Sequence, residues 1–270
     1  MRIAVVQLSP HFGKVEQNII RATELINNLK ADLFVLPELC FTGYTFRSKD
    51  EALTLSEPAD RGFSIIRMRE LSAKIGAAIV FGFPERSDKG IYNSAALVLP
   101  DGGHHVYRKL HLFMYEKDWF FPGDKPSSII EFRGARLGII ICFDWIFPES
   151  ARTLALDGAQ VICHPANLVL PYCQAAMITR CLENRVFAIT ANRVGRETRG
   201  DFDFKFTGRS QIVSPHGQIF FKAQEDKEEV GVADIDYRES DNKWVNEKNN
   251  LWEDRRPIFY SKITDAAKNS

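Results

Sequence analysis

The chain has 270 residues, 45% hydrophobic and 26% charged, which excludes a peptide, a disordered tract or a fibrous repeat and suits one large α/β or all-β domain, or two modest ones. Lysine plus arginine (35) balances aspartate plus glutamate (35), so no overall field would hold the chain on nucleic acid or on an anionic membrane. Five cysteines, at 40, 142, 163, 173 and 181 with no CxxC pair, fit neither a disulfide scaffold nor a zinc ribbon and read as reduced thiols in a reducing compartment.

At the amino end an apolar run broken at Gln7, with no small-residue cleavage site, reads as a first strand, Ile3 to Leu8, rather than a signal peptide. Strand-length apolar runs follow at Leu33 to Leu36, Ala77 to Phe83, Ala95 to Leu99, Leu137 to Cys142, Val161 to His164, Phe187 to Ala191 and Ser210 to Val213. Helical spacing separates several of them, over Val15 to Leu29, Phe63 to Ile75, Pro148 to Leu156 and Gln174 to Val186. This alternation argues α/β. Leu99 to Gly103 and Ser214 to Gly217 are too short for a helix and mark antiparallel hairpins, so mixed sheets with helices outside are expected rather than a purely doubly wound sheet. No apolar run approaches the roughly 20 residues of a membrane helix, and a cytoplasmic protein is expected. No repeat, low-complexity tract or Gly/Ser linker divides the chain, so a single domain is expected over residues 1–270. Within it, the polar stretch 243–270, with Trp244, Trp252, Phe259 and Tyr260, covers the body or reaches a partner subunit; a loosely packed tail is the alternative.

Three segments end a strand-like run in a reactive side chain. In Leu33-Phe-Val-Leu-Pro-Glu38 the run stops at Pro37, which puts Glu38 at a strand terminus. In Val106-Tyr-Arg-Lys109 a lysine ends the run that follows a Gly-rich turn. In Leu137-Gly-Ile-Ile-Ile-Cys142 a buried strand runs into a thiol, and Pro148 and Glu149 then suit the first turn of a helix that Gly158 ends. Such a strand-to-helix turn exposes a nucleophile at the sheet edge, whereas a cysteine that merely closes a strand is the alternative.

These segments, with Gln7, Gly43-Tyr44, Phe121-Pro-Gly-Asp124 and His164-Pro-Ala-Asn167, resemble the nitrilase superfamily of carbon-nitrogen hydrolases over nearly the whole chain. The resemblance implies a four-layer α-β-β-α sandwich, a homodimer or higher homo-oligomer, and a catalytic set of Glu38, Lys109 and Cys142 that needs no cofactor and no metal. A free thiol is scarcely ionised at neutral pH, so a carboxylate must take its proton; Glu38 is the implied base. Lys109 and the backbone N–H of Phe143 are the implied oxyanion donors. Glu116 matches a second family glutamate that positions substrate or water, a solvated loop acid being its alternative. Asn167 matches a strand end that borders the pocket, loop capping being its alternative. The implied substrate is a small linear amide or carbamoyl compound, with a nitrile as the alternative, and Asp144 two residues after the cysteine favours the amide.

Rival readings are a Cys142–His164 dyad, a zinc site at Cys40 and Cys163-His164, a catalytically silent binding protein, and a nucleotide-binding fold; the last lacks any GxGxxG or Walker loop. Arg193, Arg196, Arg199 and Lys205 lie in a loop-like stretch that binds a substrate carboxylate or is simply solvated. Glu183 and Arg185 are assigned to ion pairing or an interface, and Cys40, Cys173 and Cys181 to packing.

Overall fold

Alternation in the first strand decides the layering. In the computed structural model, which describes residues 1–264, β1 (Arg2–Gln7) sends Ala4 and Val6 to one face and Ile3 and Val5 to the other. The first pair packs with Ile19, Ala22 and Ile26 of α1 (Val15–Asn27). After β2 (Leu33–Val35) and the short α2 (Lys49–Leu55), α3 (Phe63–Ile75) adds Ile65, Met68 and Leu71 to the same outer core. The strands β3 (Ala78–Ser87), β4 (Gly90–Val98) and β5 (His104–Arg108) then form an antiparallel meander. All three residues of β2 are fully buried, as a parallel strand covered on both faces requires.

The second half repeats the plan. One turn of helix, α4 (Glu116–Trp119), precedes β6 (Ile130–Phe132) and β7 (Ala135–Ile139). Parallel β7, β8 (Val161–Pro165) and β9 (Phe187–Ala191) are joined through α5 (Pro148–Leu156) and α6 (Cys173–Asn184). A two-stranded hairpin, β10 (Arg196–Arg199) and β11 (Phe202–Lys205), leads to β12 (Gln211–Val213), β13 (Ile219–Lys222) and β14 (Glu229–Asp234). One six-stranded sheet runs β14-β1-β2-β3-β4-β5 and the other β13-β12-β9-β8-β7-β6. Ile3, Val5, Leu33, Val35, Val80 and Leu97 of the first share a core with Leu137, Ile139 and Ile162 of the second, and Leu154 of α5 with Met177 of α6 continues it outward. The result is the expected α-β-β-α sandwich of mixed sheets.

The departures have physical causes. β4 begins five residues before the predicted run, at Gly90, because its polar Asn93 and Ser94 are buried against Glu38 and Glu85. β7 stops at Ile139, three residues short of Cys142, whose φ of 41° cannot continue a strand. The stretch read as loop-like folds into the β10–β11 hairpin, and β14 closes the first sheet antiparallel to β1. Of the carboxy-terminal stretch, residues 265–270 lie outside the described residues. Lys243 Nζ donates to the carbonyls of Asn184 and Arg185 at 3.0 Å, Trp252 packs on the shared core, and Trp244, Phe259 and Tyr260 remain exposed.

Gly82 of β3 sets how closely the turn after β2 can approach. A Cβ there would sit 2.5 Å from both the Cα of Glu38 and the nitrogen of Leu39, while Gly82 N–H donates to Pro37 O at 3.0 Å and its carbonyl accepts from Cys40 N–H at 3.1 Å. Gly82→Ala should therefore lower unfolding stability by about 2–3 kcal/mol in urea titrations; a change below about 0.5 kcal/mol would show that this approach is not constrained.

Candidate active site

Glu38, Lys109 and Cys142 stand just beyond the carboxyl ends of β2, β5 and β7, which brings them together where the two sheets meet. Lys109 is fully buried, and its Nζ donates to Glu38 Oε1 at 2.6 Å and to Glu116 Oε1 and Oε2 at 2.9 and 2.8 Å. Its backbone is fixed on both sides: its N–H donates to Asn93 O at 2.9 Å and its carbonyl accepts from Gly123 N–H at 2.8 Å. Glu116, which opens α4, is 4% exposed and so belongs to this cluster instead of a solvated loop. It also accepts from Tyr44 Oη at 2.8 Å and from Phe113 N–H at 3.3 Å.

Charge in this dry cluster is tightly coupled. Burial opposes the Lys109 ammonium, but Glu116 and Glu38 together outweigh it and hold that group above its usual range. Burial, and repulsion from Glu38, push the Glu116 carboxyl up against the pull of Lys109. Burial and the Glu38 and Glu116 charges push the Cys142 thiol well up, while Lys109 and the backbone N–H of Asn167 act the other way. This direction favours the protonated thiol at neutral pH. The hydroxyl of Tyr44 is likewise held protonated, by burial and the same two carboxylates, and serves as a donor.

Cys142 occupies a strained turn. It starts a 3-10 turn, Cys142–Ile146, with a positive φ that a non-glycine residue adopts at a cost of about 1–3 kcal/mol. Two buried side chains hold it there. His164 Nε2 donates to Cys142 O at 3.0 Å, which fixes the proton on Nε2 and leaves Nδ1 to accept from Thr190 Oγ1 at 3.2 Å. Fully buried Asp144 accepts from Ile141 N–H and Tyr107 Oη at 2.9 Å, from His111 N–H at 3.1 Å, and pairs with His111 Nδ1 at 2.7 Å. The His164 ring meets the cysteine's carbonyl instead of its thiol, so the Cys142–His164 dyad is replaced by a clamp.

The remaining predicted residues fall into place around this turn. Phe143 follows Cys142, its ring 5.0 Å from that of Phe113. Asn167 donates from Nδ2 to the backbone carbonyl of Glu38 at 2.9 Å, so its side chain holds the Glu38 turn while its main chain faces the thiol. Arg193 pairs with Glu197, Arg196 with Asp203 and Arg199 with Glu51, so each arginine is engaged in an ion pair of the fold, Arg193 buried and Arg196 exposed to solvent. Lys205 lines an open groove of about 870 Å3 with Arg209, Lys222 and Glu225, and none of Glu38, Lys109, Glu116 and Cys142 borders it. Glu183 pairs with Arg180 at 2.9 Å, whereas Arg185 donates to His216 at 2.6 Å. Cys40 Sγ donates to Gly82 O at 3.6 Å, and no group of three His, Cys, Asp or Glu side chains among the described residues is placed to hold a metal ion. Sequence reasoning gave no role to Tyr44 or Asn93 and read Asp144 only as a marker of substrate; a polar Asn93-Ser94 pair inside an apolar strand was the available trace.

A family model described as carbon-nitrogen hydrolase matches residues 2–242. A Pyrococcus abyssi protein named nitrilase is 43% identical over 263 residues, covering 96% of this chain and 99% of its own. A Pseudomonas (R)-stereoselective amidase is 34% identical over 232 residues, 84% of this chain and 82% of its own. Among solved structures, a carbon-nitrogen hydrolase from Helicobacter pylori superposes with a TM-score of 0.88 at 26% identity over 98% of each chain.

Burial lowers the His164 ring from 6.5 to about 4, so it is neutral in the folded protein at pH 7. Its contribution to stability is complete above the unfolded value and is lost as pH falls toward the folded one. Urea titrations between pH 7 and pH 4 should show the stability gap between the parent and His164→Asn narrowing by up to about 3 kcal/mol; a gap independent of pH would contradict a buried neutral ring.

Proposed function

The chain belongs to the carbon-nitrogen hydrolase family of the nitrilase superfamily and is a hydrolase of carbon-nitrogen bonds other than peptide bonds; on that premise we propose that it cleaves a small, uncharged linear amide or carbamoyl compound through a thioester on Cys142. The observation that carries this reading is the single buried ammonium of Lys109 shared by two carboxylates beside a neutral thiol.

Each group has a chemical task. Glu38 Oε1 takes donors from Lys109 and Asn93, whereas Oε2 has no hydrogen-bond partner among the described residues and is the oxygen able to accept a proton. Glu38 removes the thiol proton as Sγ bonds to the substrate carbonyl carbon. Lys109 Nζ donates to Glu38 Oε1 and to both oxygens of Glu116, so the N–H spent on the second Glu116 oxygen is the one that turns to the developing oxyanion, which Phe143 N–H also meets. The carbon-nitrogen bond breaks as Glu38 returns its proton to the leaving nitrogen. Water then attacks the thioester, giving its proton to Glu38; the carbon-sulfur bond breaks, Cys142 is reprotonated and the acid departs. Glu116, held by Tyr44 and Phe113 N–H, keeps Lys109 in place. A nitrile is the second reading, favoured by the relative named nitrilase; it enters by the same attack through a thioimidate but brings no N–H donor.

Charge narrows the substrate further. Two acidic side chains face one ammonium in the cluster, and the nearby Arg193 and Arg199 are paired with Glu197 and Glu51. An anionic substrate is disfavoured.

Two measurements test these statements. Cys142→Ala and Glu38→Gln should each lower ammonia release by at least about a thousandfold, and only the parent should show an acyl mass increment on the Cys142 peptide; full ammonia release by Cys142→Ala, or turnover of nitriles alone, would overturn the reading. A neutral aliphatic amide should exceed the monoamide of a dicarboxylic acid of equal length by roughly tenfold or more in kcat/KM; the reverse order would sink the charge argument.

A further inference from the structure

Asn93 lies in the middle of β4, fully buried, in a stretch whose neighbours Ile91, Tyr92, Ala95 and Ala96 are apolar or aromatic. A buried amide is costly unless hydrogen-bonded, so its partners account for its presence. Nδ2 donates to Glu38 Oε1 at 2.7 Å and to Glu116 Oε2 at 3.4 Å, and the backbone carbonyl accepts from Lys109 N–H at 2.9 Å. One residue thus touches all three charged members of the cluster from a strand that supplies no charged member itself. Its Oδ1 has no partner among the described residues, so the side chain's hydrogen bonds serve only the two carboxylates.

We propose that Asn93 is a positioning residue of the reaction, whose amide fixes the Glu38 carboxylate so that Oε2 faces the thiol and accepts its proton. The proposal rests on Glu38 acting as the base. The terminal torsion of a glutamate is broad and roughly two-fold, so a carboxylate held by one donor can exchange its oxygens. Lys109 alone would not prevent this, because an ammonium is a compact charge with rotating donors that follows whichever oxygen is presented. Asn93 adds a second donor from a rigid strand, in a direction the lysine does not share, and both converge on Oε1. The same Nδ2 reaches Glu116, so the amide bridges the two carboxylates on a second side from the Lys109 ammonium.

The test compares Asn93→Leu, which keeps the branching at Cγ without a donor, and Asn93→Asp, which keeps the shape and turns an acceptor toward the carboxylates. Three quantities are measured per folded protein: kcat and KM on a neutral aliphatic amide, and the rate at which iodoacetamide alkylates Cys142, read from the mass of its peptide. Asn93→Leu should lower kcat about ten- to a hundredfold with KM within about threefold, and should slow alkylation comparably. Asn93→Asp should be more impaired than Asn93→Leu in both rates. A kcat and alkylation rate within twofold of the parent in Asn93→Leu, or losses that vanish once the folded fraction is taken into account, would overturn the assignment. Alkylation requires no turnover. A parent chain that hydrolyses no amide would sink the substrate reading, and the alkylation comparison would still decide the role of Asn93.

Discussion

The ammonium of Lys109 makes the rest of the site possible. Glu38 and Glu116 are both buried and both face the same atom, with side chains 0% and 3% exposed. Two carboxyl groups so placed repel each other and are shielded from solvent, and the shared cation opposes the upward push that burial gives Glu116. The dependence is mutual, because a lysine in that position has no other counter-charge within hydrogen-bond reach among the described residues. Removing one partner from a buried ion pair typically costs about 3–5 kcal/mol, since the charge left behind is neither solvated nor neutralised. The three residues consequently behave as a unit, and Tyr44, Asn93 and Phe113 add further donors to the carboxylates, leaving Glu38 Oε2 without one among the described residues. Lys109 is balanced by two carboxyl groups, so its pull on the Cys142 thiol is weaker than the combined effect of burial and negative charge, and the thiol is pushed up.

Geometry at the two turns carries a separate cost. Leu39, just after Glu38, and Cys142 both take positive φ, 45° and 41°, where branched or functional side chains are strained. Neither turn stands alone. The Glu38 turn is pressed against Gly82 and tied by Asn167 to the second sheet, and the Cys142 turn is clamped by His164 from β8 and Asp144 through Tyr107 of β5. Strands from both sheets thus hold each turn. This is why a sandwich whose core is shared between sheets can maintain two unfavourable backbone conformations side by side, and why residues that never meet a substrate bear on where the reacting atoms lie.

Much of the fold was legible because local rules and burial agree. The helices over Phe63–Ile75 and Pro148–Leu156 have the predicted bounds, the first flanked by Gly62 and Gly76, the second opened by a proline at its first position. β14 was missed because as an edge strand it begins with Glu229 and ends with Asp234 and lacks a clean apolar run. β10 was missed because polar cross-strand pairs such as Arg196 with Asp203 carry it, and β11 because its alternation of Phe202 and Phe204 with Asp203 and Lys205 spans only four residues. In the site, Glu38, Lys109 and Cys142 were visible as reactive residues ending apolar runs. Glu116 was reached only through family resemblance, since nothing in Met114-Tyr-Glu-Lys marks it as buried. Tyr44 and Asn93 were illegible for a stronger reason. Their partners come from other strands and from a helix, and no spacing along β4 or the Gly43-Tyr44 turn encodes a contact made across a sheet.

The neutral whole-chain balance is compatible with a strongly biased site because electrostatics in this fold are local. A charge on the surface is screened within about 8 Å at physiological salt, and the 35 charges of each sign act mostly on their neighbours there. Inside the cluster, a unit charge at 5 Å interacts by about 3 kcal/mol even at an effective dielectric constant near 20. The buried Arg193, which could have offset the negative cluster, is held by Glu197, and Glu197 in turn accepts from the backbone N–H groups of Tyr44 and Thr45 at 3.0 and 2.6 Å. That pair therefore shapes the turn that aims Tyr44 at Glu116 and contributes little net charge. Cations near the candidate site are thus paired within the fold, and two acidic side chains share the ammonium of Lys109.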